Sequence, residues 1–235
     1  MIPKIIHYCW LSNDPIPESL QKYMQTWKEK LPDYEFMLWN FDCFDINSSI
    51  WVKQAFEKKK YAFAADYIRL YAVYNKGGIY MDMDVEVVKS FNDLIHNDHI
   101  LGYETANGIE AGIFGAIPHA EWVKMCLDYY KEKEFIRTDG TFNDKPLPKI
   151  MFNALKHDFI DNGALTIYPP EYLTAKSFKT GKITITSNTH TIHHFAGSWK
   201  SNTEKLIIFI ARIIGPKYTH LLGNLRRFIT LKGLK

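Results

Sequence analysis

Cysteine is scarce in this sequence of 235 residues: Cys9, Cys43 and Cys126 are odd in number and form no CxxC or finger spacing. That speaks against a disulfide framework or a zinc site and for reduced thiols. No apolar run reaches transmembrane length; the longest, 206–214, contains Arg212. Met1-Ile2-Pro3-Lys4 lacks the charge-then-apolar layout of a signal peptide. The expected location is therefore cytoplasmic, free or peripheral on the inner face of the plasma membrane. Internal repeats and low-complexity tracts are absent. Acids are missing from one place in particular. Residues 200–235 carry Lys200, Lys205, Arg212, Lys217, Arg226, Arg227, Lys232 and Lys235 against Glu204 alone, although the whole chain is only +3. The remainder is acidic on balance and holds no recognition motif, which argues against nucleic acid as a partner.

What is present is an ordinary globular composition, 46% hydrophobic and 23% charged, enough for one domain with a substantial core. Aromatics reach 15%, which suits stacking pockets and a large core equally. Residues 3–10 read as a buried strand, and Leu20, Met24 and Trp27 mark a helix that stops at Leu31-Pro32-Asp33. A second strand is expected at 34–39, a helix over 48–59 capped by Asn47 or Ser48, and another over 61–75 ended by Gly77. This alternation predicts an α/β sandwich with a mostly parallel central sheet. Further on, strands are expected near 100–104, 165–168, 183–186 and 189–194, with helices over 120–132 and 149–155. Residues 201–235 form a basic tail in which Tyr218, Leu221, Leu222, Leu225, Phe228 and Ile229 recur at helical spacing. Such a face suits an anionic membrane, the body of the protein or a second subunit.

The stretch Ile79-Tyr80-Met81-Asp82-Met83-Asp84-Val85-Glu86-Val87, delivered by Gly77-Gly78, reads as a strand with two carboxylates set into it. Tyr80, Asp82 and Asp84 would share one side, and Ile79, Met81, Met83 and Val85 the other. Carboxylates about 6–7 Å apart in an apolar setting need a cation or a shared proton. A solvated surface strand is the plain alternative, and the flanking apolar residues weigh against it. Asp66 and Arg69, three apart on the preceding helix, can pair on one face, and a buried Arg oriented by a carboxylate makes a phosphate or sugar-hydroxyl clamp. His193 and His194 end a strand before Gly197-Ser198-Trp199; imidazole joins carboxylates as a ligand for Mn²⁺, and only one of two consecutive side chains can face the pair.

These segments, with Ile5-Ile6-His7-Tyr8-Cys9-Trp10, Ala65-Asp66-Tyr67-Ile68-Arg69 and Gly77-Gly78-Ile79-Tyr80-Met81-Asp82-Met83-Asp84 in order, closely resemble the DXD-motif, GT-A fold glycosyltransferases of sequence family 32, the capsular-polysaccharide and mannosyltransferase-like type. Those enzymes are distant relatives of the clostridial toxin glucosyltransferase domains. The resemblance spans roughly residues 2–90 strongly and 160–199 more loosely. It implies a GT-A domain over 1–200, with a nucleotide-sugar-binding half at 1–90, an acceptor and metal-completing half at 91–200, and the tail at 201–235.

The resemblance further implies that His7, Trp10, Asp66, Arg69, Tyr80, Asp82, Ser198 and Trp199 bind the donor, Trp10 by stacking on the nucleobase. Asp66, Arg69, Asp82 and Asp84 would be the catalytic set. Asp82, Asp84 and His194 would hold Mn²⁺ or Mg²⁺, Asp84 directly and Asp82 towards ribose and metal-bound water. The implied reaction is retaining transfer of a hexose, from UDP-hexose in preference to GDP-mannose, to a saccharide hydroxyl. The acceptor would be a glycan or lipid-linked saccharide of bacterial surface polysaccharide synthesis. Glu110 lies where such enzymes often carry a different pattern, and its role stays open. Two rival readings are a haloacid-dehalogenase-type phosphatase and a non-catalytic sugar-binding protein. The first wants Thr or Val where Glu86 stands and has no use for the Asp66/Arg69 helix.

Overall fold

The computed structural model describes residues 1–197; the tail at 201–235, with Ser198 and Trp199, lies outside them. The elements in chain order are β1 (Ile5–Cys9), α1 (Glu18–Lys30), β2 (Glu35–Trp39), α2 (Ile50–Glu57), α3 (Tyr61–Lys76), β3 (Gly78–Met81), β4 (Val85–Val87), β5 (His99–Ile100), β6 (Tyr103–Thr105), β7 (Gly108–Ile109), β8 (Ile113–Ala116), α4 (Glu121–Asp128), α5 (Leu147–Leu155), α6 (Pro170–Leu173) and β9 (Thr191–His193). The central sheet runs β2-β1-β3-β8-β5. β1 pairs in parallel with both β2 and β3, as the alternation of the first ninety residues predicts. β8 then joins β3, and β5 joins β8, both antiparallel. The α/β sandwich is thus as expected, but the sheet as a whole is mixed, because β5 and β8 are reached from β3 without an intervening crossover helix. Segments 165–168 and 183–186 form only isolated bridges, through Tyr168 and Ile183, instead of strands.

Two cores lie on either side of the sheet. Helices α2 to α5 cover one face, where Trp51, Ile68, Tyr80, Phe114 and Phe135 are fully buried. α1 and β4 cover the other, with Trp27, Ile79, Met81, Met83 and Val85. Burying one such Trp side chain holds roughly 3–5 kcal/mol against truncation to Ala. The alternation of β3 divides as its sequence predicts, Tyr80 into the first core and Ile79 and Met81 into the second. The cap of α2 is Ser49, whose hydroxyl accepts the Val52 N–H at 3.3 Å, one residue beyond the expected caps.

The turn from α3 into β3 explains the Gly77-Gly78 pair. Both residues have positive φ, 65° and 94°. A Cβ on Gly78 would stand 2.7 Å from the Ile5 carbonyl oxygen, and one on Gly77 would stand 2.7 Å from Pro118 Cδ. No other residue type brings α3 so directly onto the first strand, and this connection fixes Arg69 over the end of β3.

Candidate active site

β3 stops at Met81, and Asp82, Met83 and Asp84 form the turn that leads into β4. The two carboxylates therefore lie at the end of a strand, not within one as the sequence suggests. The turn swings them past the sheet while Met83 stays in the second core. The backbone holds it there: Asp82 N–H donates to the Gly112 carbonyl at 2.7 Å, and Val85 N–H donates to the Asp82 carbonyl at 3.0 Å.

Arg69 supplies the fixed cation. Its Nη2 lies 3.3 Å from Asp82 Oδ1 and 3.4 Å from Asp66 Oδ1, and Nη1 donates to the Ala111 carbonyl at 2.8 Å. The guanidinium lies over the Tyr80 ring, 4.6 Å from its centroid. The expected Asp66–Arg69 pair is present and buried, and it extends to Asp82. Burial pushes the Asp66 carboxyl up to about 6, with Arg69 opposing the rise. Burial also raises Asp82, again against Arg69. Loss of Arg69 would leave two carboxylates uncompensated, a change of roughly 3–5 kcal/mol for a buried pair.

Asp84 has different company. His193 Nε2 stands 3.4 Å from its Oδ1, and the Ala196 N–H donates to its Oδ2 at 2.6 Å. Burial alone would raise its carboxyl, but the His193 charge and these hydrogen bonds outweigh burial and bring it down to about 2. The other His193 nitrogen, Nδ1, is 3.0 Å from Glu110 Oε1. Glu110 is 1% exposed and fully partnered: Oε1 also accepts the Gly112 N–H at 2.7 Å, and Oε2 accepts the Thr174 hydroxyl at 2.8 Å. Burial disfavours charge on His193, yet Glu110 and Asp84 together hold its pKa well above the ordinary value. Gly112 is required by contact: a Cβ there would reach 2.8 Å from His193 Nδ1 and 3.0 Å from Asp82 Oδ2. After β9 the chain turns through Phe195 at φ 54°, a conformation unfavourable for an aromatic residue. That turn lays the Phe195 ring 4.1 Å from His193 and brings the Ala196 N–H to Asp84.

One ligand atom each from Asp82, Asp84 and His193 lies within 4.8 Å of the others. Two carboxylates and one imidazole suit a borderline-hard divalent cation such as Mn²⁺. Glu110 supplies the outer partner that metal-ligating histidines ordinarily have, engaging Nδ1 and leaving Nε2 towards Asp84. The residues present fit the cation.

Several expected site residues stand elsewhere. His194, the ligand expected from the resemblance, pairs with Glu86 Oε2 at 2.7 Å and stacks on Tyr23 of α1 at 4.3 Å. Its neighbour His193 takes the place beside the carboxylates, because consecutive side chains leave a strand end in opposite directions. His7 is fully buried: Trp39 Nε1–H donates to its Nδ1 at 3.0 Å, so Nε2 carries the proton and donates to the Gly77 carbonyl at 2.7 Å. With both nitrogens spent on the core it has nothing to offer a donor. Tyr80 is 1% exposed, and its hydroxyl donates to Asp82 Oδ1 at 2.7 Å, so that it lies beneath Asp82 and Arg69. Trp10, just past β1, is half-buried and its indole N–H donates to the Asp14 carbonyl at 2.7 Å. Ser198 and Trp199 are outside the described residues. Sequence reasoning left Glu110 without a role and missed Gly112, Thr174 and Phe195. The available signal was an acid inside the apolar, small-residue run 109–116.

Residues 17–101 match the family model described as a glycosyltransferase sugar-binding region containing the DXD motif. Mannosyl phosphorylinositol ceramide synthase CSH1 of Saccharomyces cerevisiae is 31% identical over 143 residues, 58% of this chain and 38% of its own. The synthase SUR1 of the same yeast is 28% identical over 200 residues, 81% of this chain and 52% of its own. The chain spans about half or less of the length of these relatives. Among solved structures, the PaToxG glycosyltransferase superposes with a TM-score of 0.53 at 19% identity, over 69% of this chain and 72% of that one, a likeness of fold.

Proposed function

We propose that this chain, whose residues 17–101 match the DXD-containing sugar-binding model, transfers a hexose from a nucleoside diphosphate sugar to a saccharide hydroxyl, with retention at the anomeric carbon and with a divalent cation. The observation that carries the reading is the convergence of Asp82, Asp84 and His193 within 4.8 Å beside a buried Arg69. Asp82, Asp84 and His193 would hold the cation, the charge of Asp82 being partly offset by Arg69. When bound, the cation stabilises charge developing on the diphosphate leaving group.

The chain's own residues prepare that place. Glu110 orients the His193 ring, Tyr80 and Arg69 orient Asp82, and the Ala196 N–H fixes Asp84. Among the described residues no side chain beside the carboxylates is a free nucleophile; with retention, this favours attack by the acceptor hydroxyl on the same face as the departing diphosphate, which takes the hydroxyl proton. The donor is a UDP- or GDP-hexose. The toxin-type resemblance supports UDP-hexose, whereas the two yeast relatives are named for mannosyl transfer. The acceptor is a saccharide, lipid-linked or free, presented in the cytoplasm, with 201–235 as one membrane contact.

The test is release of nucleoside diphosphate from a panel of UDP- and GDP-sugars with and without Mn²⁺. Turnover of at least one donor, lost on chelation, is expected. Phosphate release from simple phosphomonoesters without any donor would support the phosphatase reading instead, and tight donor binding without release would support the sugar-binding one.

A further inference from the structure

Among the described residues five large apolar side chains stand exposed, and three of them, Phe178, Ile183 and Ile185, fall within one short segment. Residues 176–187 double back on themselves. Lys176 bridges Ile183 in antiparallel fashion, Ser177 N–H donates to the Lys182 carbonyl at 2.9 Å, and Gly181 closes the turn at φ 72°. Lys179 and Lys182 flank this turn and are exposed, as is Ile185 at 59%. No acidic residue occurs between Glu171 and Glu204. The result is an exposed hairpin tip that is both apolar and positively charged, with nothing of opposite sign in its own sequence.

The hairpin also adjoins the site. Phe178 meets the Phe195 ring at 5.3 Å, Phe195 lies on His193, and Lys176 Nζ donates to the His194 carbonyl at 2.9 Å. Ile183 and Ile185, 41% and 59% exposed, cost free energy in water, and covering them is favourable. The tail is a poor one, because residues 200–235 carry eight Lys/Arg against one acid and would repel the hairpin lysines. One anionic partner suits both segments. A bilayer surface offers it in the needed form: isoleucines enter the boundary between headgroups and acyl chains while lysines stay among anionic headgroups. We propose that the 176–187 hairpin docks this protein on an anionic lipid surface, holding the Asp82/Asp84/His193 site next to it. The docking itself does not depend on the glycosyltransferase reading; only its purpose does.

The experiment is co-sedimentation of the full chain with phosphatidylcholine vesicles, with and without phosphatidylglycerol, for the parent and two variants, Lys179→Ser/Lys182→Ser and Ile183→Ser/Ile185→Ser. The expected result is binding that needs phosphatidylglycerol. Each lysine removed should weaken it roughly fivefold, so about 25-fold for the pair, and the isoleucine pair should weaken it by about tenfold or more. Binding should also fall as salt screens the surface. These side chains are exposed, so an unchanged unfolding midpoint is expected and confirms that the variants are folded. Parent-like binding by both variants overturns the proposal, since the tail or another surface would then be the anchor. Equal binding to neutral vesicles, or none to either kind, overturns it as well. Nucleoside diphosphate release measured on the same preparations reports separately on the reaction.

Discussion

The ribbon formed by β4 and β9 carries a histidine–carboxylate pair on each side, and the two pairs differ in almost every respect. On the inner side His193 sits between Asp84 and Glu110, both its nitrogens are engaged, and its side chain is 10% exposed. Burial opposes charge there, but two carboxylates override it and the imidazole titrates well above its ordinary range. On the outer side His194 has one partner, the partly exposed Glu86, and a stacking contact with Tyr23. Burial wins over Glu86, and its pKa is lowered. Adjacent residues of identical chemistry thus differ because one faces a preformed pocket of fixed charges and the other a helix flank. His7 is a third case, buried without any carboxylate and therefore held neutral.

The comparison breaks first at its centre. Asp84→Asn is expected to cut cation-dependent turnover about a thousandfold while the far-ultraviolet circular dichroism stays unchanged. Full activity in that variant sinks the scheme. Next come the histidines themselves. His193→Ala should weaken Mn²⁺ binding, measured by calorimetry or electron paramagnetic resonance, by roughly a hundredfold. His194→Ala should shift it by no more than about twofold, since His194 pairs with the partly exposed Glu86 and not with the carboxylates. The reverse ranking would restore His194 as the ligand.

Glu110→Gln isolates the orienting role. The amide can still accept from Gly112 but is a weaker partner for His193 Nδ1, and Mn²⁺ affinity should fall about 10- to 100-fold. A purely structural Glu110 would lower the unfolding midpoint and leave the affinity of the folded protein alone.

His7, the third case, is tested through stability instead of cation binding. Burial lowers its pKa from 6.5 to about 4. The unfolded chain then binds the proton more readily between these values, so stability rises with pH across that window and is fully present above 6.5. The contribution is at most about 3 kcal/mol, lost as pH falls from 6.5 towards 4. Urea unfolding of the parent and of His7→Phe at pH 7 and pH 4.5 checks it: the parent should lose more stability on acidification than the variant.

Much of the first ninety residues is legible in the sequence because its signals are local. The 61–75 helix, its Gly77 stop and the start of the strand behind it follow from spacing, capping and β-branching, and α3 and the first residue of β3 fall within a residue of where these place them. The Asp66–Arg69 pair is equally local, three residues apart on one helix. The end of β3 at Met81 is less so, since Met83 and Val85 keep the apolar alternation running through a turn that only the Asp82–Gly112 backbone contact enforces. Legibility declines after residue 100, where the strands are two to four residues long. The exposed hairpin at 176–187 reads locally as a strand because Ile183 and Ile185 alternate with threonines; its bridge to Lys176 leaves it folded back and outside any sheet.

The sequence by itself determined the α/β class, the parallel pairing of the first three strands and the need of Asp82 and Asp84 for a positive partner. Those properties depend on periodicity, on glycine placement and on charge, which neighbouring residues express directly. Tertiary structure alone decided which histidine joins the carboxylates, that Glu110 stands behind it, and that His7 and Tyr80 belong to the core. Strand ends let a one-residue difference in register point a side chain to either side. Only long-range contacts, Glu110 to His193 across 83 residues and Asp84 to Ala196 across 112, choose between them.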